Sequence, residues 1–279
     1  GNQLFQLAMA TIVQASGRKI SLDWRANRVT LGGINVWQLP CFPHDLTNSE
    51  HRCPEDRVLR GNLGSFESAV DKLVNDDSAC CVRGYFQYVE LLQAVEIHET
   101  VYRLIESICA QTEPGANAPK HNAVHVRLGD YTRKGTSAAY GCLSMSYYAS
   151  VINRMPASET KVVTDDHRGV RKHLPEITSL RPRISVVKAS EAESMKILAT
   201  AQSLGIGNST FSLWAAWYRS SRSARLSDTY FPWPWFRDGR VLDLRPLGWS
   251  PIESQFLAPS TIRLPLGRFR TRRLRALFW

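Results

Sequence analysis

The chain has 279 residues, 43% hydrophobic and 22% charged, which is enough to bury a sizeable core in an ordinary globular fold. Its net charge of +10 leaves three kinds of partner open: nucleic acid, an anionic membrane surface, or a small phosphorylated ligand. No apolar run reaches the ~18 residues of a membrane-spanning helix, and no Cys-x-x-Cys or Cys/His spacing suggests a zinc site.

The basic excess is mostly arginine, the better bidentate phosphate ligand. The six cysteines are Cys41, Cys53, Cys80, Cys81, Cys109 and Cys142. A chain of this size does not need disulfides, so reduced thiols in a cytosolic protein are expected. No signal peptide is visible, but the chain begins at Gly1 without a methionine, so that absence carries no weight.

From Gly1 to about Gly17, Leu4, Phe5, Ala8, Met9, Ile12 and Val13 recur at helical spacing. Residues 19–23 then read as a short strand. A helix opening from glycine and followed by a strand resembles a nucleotide-binding βαβ unit without its first strand. Residues 30–80 read as irregular, broken by Gly32-Gly33, Pro40, Pro43 and Pro54. Residues 80–86 predict a strand and turn, and 88–110 an apolar-periodic helix. Residues 111–119 hold Pro114, Gly115, Asn117 and Pro119 and form the best linker. After it the βα alternation restarts. Strands are expected at 122–126, 161–164, 184–187 and 204–207, and helices at 144–155, 191–203 and from Phe211. The fold class is therefore α/β, with two facing Rossmann-like domains. Residues 1–118 form the first, 119–256 the second and 257–279 a tail.

Four motifs sit at predicted strand ends or helix starts, where open α/β sheets bind ligands. In His125-Val126-Arg127-Leu128-Gly129-Asp130-Tyr131, strand alternation puts His125 and Arg127 on one face, and Gly129 lets the chain turn. Arg127 can clamp a pyrophosphate bidentately and stabilise it as a leaving group, or can form a purely structural pair with Asp130. In Gly207-Asn208-Ser209-Thr210, backbone N–H groups and hydroxyls at a helix start form an anion site or simply cap the helix. Asn208-Ser209-Thr210 is also a glycosylation sequon, a poor acceptor at such a strand end. Asp165 and Asp166 follow an apolar strand. A carboxylate there can accept from guanine N1–H and its amino group, or cap a helix; two aspartates alone make a weak metal site. Gly1, Asn2 and Gln3 precede the first helix, where amides can meet sugar hydroxyls or phosphate.

Together these motifs resemble the α-1,2-fucosyltransferase family. Gly1-Asn2-Gln3-Leu4-Phe5-Gln6 is similar to the end of its GGLGNQxFQ opening, and Gly84-Tyr85-Phe86-Gln87 to its GYFQ element. His125 to Tyr131 resembles HxRRGDY, and Asn208 to Ala216 resembles NSTFSWWAA. Order and spacing agree from residue 1 to about 256. The resemblance implies a GT-B fold and inverting, metal-independent transfer of L-fucose from GDP-β-L-fucose, with no cofactor, to the 2-OH of a galactose-type glycan acceptor. Arg127 would hold the GDP phosphates, helped by Asn208, Ser209 and Thr210. His125 and Asp165 or Asp166 would sit near the guanosine. Gly1, Asn2, Gln3, Gly84, Tyr85 and Gln87 would line the cleft, and Asp130 is the nearest candidate base.

Two positions depart from the pattern. Leu128 stands where many members carry a second arginine, and strand alternation points it away from Arg127. Leu213 replaces the first tryptophan of the usual pair, a change in packing more than chemistry. The glycine-rich turn and first strand are expected to precede Gly1.

The tail from Leu266 to Trp279 places Leu266, Phe269, Leu274, Leu277 and Phe278 roughly on one face and Arg268, Arg272 and Arg275 elsewhere. It reads as a basic amphipathic helix for an anionic membrane surface, or as a helix packed on the body or a frayed end. A bacterial protein of this kind would be cytoplasmic or peripheral at the inner membrane; a eukaryotic one would be Golgi-anchored by an upstream segment. Three rival functions are a GDP-fucose transferase of another linkage, a nucleic-acid binder and an inactive sugar-binding relative. Nucleic acid is not expected as a partner, because outside the tail arginines do not interleave with aromatics.

Overall fold

The computed structural model describes residues 2–18, 58–60, 64–75, 81–94, 96–110, 120–222 and 228–258. Gly1, the strand expected at 19–23, the linker at 111–119 and the tail helix from Leu266 lie outside the described residues.

Helix α1 (Asn2–Ala15) opens the fold and buries Leu4, Phe5, Leu7, Ala8, Met9 and Val13, the face its periodicity predicts. Strand β1 (Val58–Arg60) pairs in parallel with β2 (Cys81–Arg83), across helix α2 (Phe66–Asn75). Helix α2 and β1 fall in the stretch expected to be irregular. Only Ala69 and Leu73 of α2 are buried, so its apolar stripe is too thin to stand out. The helix expected over 88–110 is divided into a 3₁₀ turn (Glu90–Leu92) and α3 (Glu96–Ala110).

The rest of the chain follows in βα alternation. In order come β3 (Asn122–Val126), α4 (Lys134–Ala139), α5 (Met145–Arg154), β4 (Thr160–Thr164), α6 (His167–His173), β5 (Ile184–Val187) and α7 (Glu191–Ala199). Then follow β6 (Leu204–Gly205), α8 (Thr210–Arg222), β7 (Thr229–Trp233) and β8 (Ser250–Glu253). The six strands β3 to β8 form one all-parallel sheet in the order β5-β4-β3-β6-β7-β8. Strands β7 and β8 were not legible as strands, since each carries a proline, Pro232 and Pro251, that removes a ladder donor. Helix α7 stops at Ala199, short of the expected 203, because Gln202 N–H bonds His121 and leads the chain into β6.

Burial follows the two-residue strand period. Val124, Val126 and Leu128 join the apolar cluster of α5 and α6 on one face. Ala123 and Val163 belong to the cluster on the other face, with α7, α8, α1 and α3. Helix α8 is buried from Ser212 through Arg219, because it lies between the sheet and the amino-terminal helices. Leu213 is fully buried there, and Trp214 meets Phe5 at 4.9 Å.

This is a Rossmann-like mixed α/β fold. The chain adds strands outward from β3 to β5, returns, and adds β6 to β8 in the other direction. The reversal between β3 and β6 is the topological switch point, where parallel sheets leave a crevice at their carboxyl ends.

Candidate functional site

Arg127 follows the last residue of β3. One guanidinium nitrogen, Nη2, donates to Asp130 Oδ1 at 2.6 Å; the other, Nη1, pairs with Asp165 Oδ2 at 3.0 Å. The guanidinium also stacks over the Tyr131 ring, 5.4 Å from its centroid. Burial would lower the Arg127 pKa, but the Asp165 and Asp130 carboxylates outweigh it and raise it. Arg127 is thus a fixed cation with 30% of its side chain still exposed. Leu128 points the opposite way and is fully buried in the α5/α6 cluster, so a single arginine serves this strand end.

Asp165 follows β4, the neighbouring strand. Its second oxygen, Oδ1, accepts from the Leu128 backbone N–H at 3.0 Å. Burial pushes its carboxyl above the ordinary range, while Arg127 and the Leu128 N–H pull it down. The geometry, two donors on two oxygens with one donor cationic, favours the ionised form. Gly129 owes its identity to this carboxylate. The chain does turn there, through a 3₁₀ turn (Gly129–Thr132), but without a left-handed φ; the glycine is needed because a Cβ would come within 2.1 Å of Asp165 Oδ2. Asp166 caps α6, accepting from the Gly169 N–H at 2.8 Å.

His125 is buried on the α8 side of β3, with its ring 5.7 Å from Phe211. Desolvation, then the Arg127 charge, lowers its pKa to about 3, so the imidazole is neutral. Its Nδ1 has no partner. Gly207, two residues past β6, closes over it: a Cβ there would lie 2.9 Å from the His125 carbonyl and 3.4 Å from Nδ1.

The β6–α8 turn is uncharged. Asn208 is buried and its amide donates to the Tyr140 and Gly141 carbonyls at 2.9 and 3.0 Å, while its Oδ1 has no partner. Tyr131 joins the two strand ends, its hydroxyl donating to the Asn208 carbonyl at 3.0 Å. Ser209 Oγ accepts weakly from the Phe211 N–H at 3.4 Å. Thr210 Oγ1 donates to Asn2 Oδ1 at 2.9 Å, and Gln87 Nε2 donates to the same oxygen at 2.9 Å. The first turns of α8 and α1 therefore meet, each with the unpaired backbone N–H groups and positive dipole end of a helix start. Gln3 lies beside Asn2, partly exposed.

The Gly84–Gln87 element is tied at both ends, since Gln6 Nε2 donates to the Gly84 carbonyl at 2.9 Å. Between the ties, Phe86 holds a left-handed φ of 51°, a costly conformation for an aromatic residue. Tyr85 is displayed with 48% of its surface exposed. Burial and the nearby Tyr140 raise its phenol pKa. Tyr140 is a site residue that sequence reasoning missed. It stacks on Tyr131 at 5.1 Å and lies under Arg240 at 5.3 Å, but no local motif marks it.

Among the described residues, no group of three or more His, Cys, Asp or Glu gathers as a metal site, and no helix is long and apolar enough to cross a membrane. Cys109 and Cys142 are buried, and Cys142 is a free thiol.

Arg127 and the start of α8 lie at the switch point of a Rossmann-like parallel sheet, where such sheets bind ligands, and the comparisons make the protein a glycosyltransferase. The sequence model of glycosyl transferase family 11 matches residues 67–234, and the chain belongs to that family, which is of the α-1,2-fucosyltransferase type. A curated relative, an α-1,2-colitosyltransferase from Escherichia coli, is 28% identical over 139 residues, 47% of each chain. The chain thus spans about half the length of that relative.

Proposed function

We propose that this chain is a galactoside α-1,2-fucosyltransferase that uses GDP-β-L-fucose. The observation that carries the reading is the convergence at the switch point of Arg127 with the joined first turns of α8 and α1. This is a place for a pyrophosphate, which is the leaving group of a nucleotide diphosphate sugar. The acceptor 2-hydroxyl attacks the anomeric carbon on the face opposite GDP, and the bond from that carbon to the β-phosphate oxygen breaks. The configuration inverts, and GDP leaves with the bonding pair against Arg127. Asn208, Ser209 and Thr210 flank the phosphates. His125, with Asp165 or Asp166, faces the guanosine. Asp130 is the nearest carboxylate to take the acceptor proton.

In this reading the protein has a GT-B arrangement, with residues 1–118 on the acceptor side and 119–256 on the donor side. Tyr85 presents its exposed ring to the acceptor, with Asn2, Gln3 and Gln87 beside it. No metal or other cofactor takes part.

The name of the E. coli relative favours a second reading, transfer of colitose by the same inverting chemistry. One assay separates them. The chain is given GDP-fucose or the colitosyl donor with galactose-terminated acceptors, and the product linkage is determined. An α-1,2-fucosyl product supports the proposal. Turnover of the colitosyl donor alone would replace fucose with colitose, and turnover of neither would sink both readings.

A further inference from the structure

We infer that Asp165 is a positioning residue for Arg127 rather than the carboxylate that reads guanine. The inference rests on the proposed use of GDP-fucose and settles which of the two aspartates stays available to the nucleoside.

Both Asp165 oxygens are engaged within the strand ends. Oδ2 holds Arg127 Nη1 at 3.0 Å and Oδ1 accepts the Leu128 N–H at 3.0 Å. A guanine-reading carboxylate needs both oxygens for two parallel donors, N1–H and the 2-amino group. Asp165 could offer them only the second lone pair of each oxygen, away from the directions that the arginine and the backbone N–H already hold, or release both. The second observation is Gly129, which has no positive φ to explain it. What the position requires is room, because a Cβ would lie 2.1 Å from Asp165 Oδ2. The third is Leu128, whose side chain is fully buried. That anchor fixes the N–H which orients Asp165, and Asp165 in turn fixes the guanidinium fork. A protein with one arginine at this strand end has no second fork to correct a misplaced first one.

The test uses two chemically different variants of the full chain. Asp165→Asn keeps an acceptor for the Leu128 N–H and loses the charge on Arg127. Gly129→Ala keeps the charge but displaces the carboxylate. Each is expected to lower kcat for transfer by roughly 10–100-fold, the scale of a ~1 Å misplacement, with acceptor KM little changed. The double variant should lose no more than the worse single one, since both break one connection. Binding of GDP and of inosine diphosphate, which lacks the 2-amino group, is measured by calorimetry alongside. The ratio of the two dissociation constants should stay within about twofold of wild type in Asp165→Asn, whereas losing a guanine contact would change it about tenfold or more.

A changed ratio, or wild-type kcat in Asp165→Asn, overturns the inference and leaves the functional proposal standing. Additive losses in the double variant also overturn it. A wild-type chain that binds neither nucleotide overturns both readings.

Discussion

The two strand ends that flank the switch point solve different problems. At β3 and β4, charge is concentrated: Arg127 lies between Asp130 and Asp165, at 2.6 and 3.0 Å. At the turn from β6 into α8 there is no charge, only the amide of Asn208 and the hydroxyls of Ser209 and Thr210. The charged end sits on rigid strands, where an ion can be held for a ligand. The neutral end holds the molecule together, since Asn208 ties α8 to the Tyr140–Gly141 turn and Thr210 ties it to α1. Substitutions at the first end should therefore affect turnover with the fold intact, and those at the second should also cost stability.

The largest expected effect is at Arg127. Arg127→Ala should lower transfer by about 10²–10³-fold, the cost of losing one oxyanion-type contact, while circular dichroism and the melting temperature stay close to wild type. Arg127→Lys should recover only part of the loss, because the ammonium lacks the fork. Near-normal turnover in Arg127→Ala would erase the contrast between the two ends.

Asn208→Ala tests the neutral end. It deletes both amide donors and should cost about 1–2 kcal/mol in urea denaturation, with part of the loss offset by removing the unpartnered Oδ1. If stability stayed unchanged while kcat fell, Asn208 would belong with Arg127 instead.

His125 lies between the two ends and gives a pH signature. Its native pKa is depressed to about 3, against ~6.5 in an unfolded chain. Between those values the unfolded chain binds a proton that the native protein does not, so stability falls as pH drops below ~6.5. The slope is at most about 1.4 kcal/mol per pH unit. Thermal melts from pH 7 to 5 should show this slope in wild type and a flatter one in His125→Phe.

The smallest effect belongs to Thr210→Val, which removes one side-chain hydrogen bond to Asn2 and should cost about 1 kcal/mol or less. A larger loss would mean that the joined helix starts govern more of the fold than one contact suggests.

In the carboxyl half β3 to β6 and helices α5, α7 and α8 were legible, because short strand-forming runs such as 122–126 and 161–164 alternate with amphipathic helices, whereas α4, α6, β7 and β8 were not. Leu128 was also legible, since alternation alone turns it away from Arg127. The local partners were legible too, Asp130 for Arg127 and the α6 cap for Asp166, but the distant ones were not. Asp165 is 37 residues from Leu128, and Thr210 is 208 residues from Asn2, so no local spacing connects them. Gly129 shows the limit well: its sequence neighbours suggested a turn, but its real constraint comes from another strand. Arg219 went unnoticed for the same reason. It is fully buried and donates to Ala201 and Thr229, a structural role that only the packed sheet reveals.

The sequence by itself determined that this chain alternates strands and helices and carries an arginine motif, a GYFQ element and a polar helix start, because periodicity and turn chemistry are local. Only the tertiary structure decided that the arginine would be held by two carboxylates from different segments and that two helix starts would meet beside it. A parallel sheet brings the ends of distant strands together at its switch point, and the order in which strands pair is set by long-range packing rather than by any one segment.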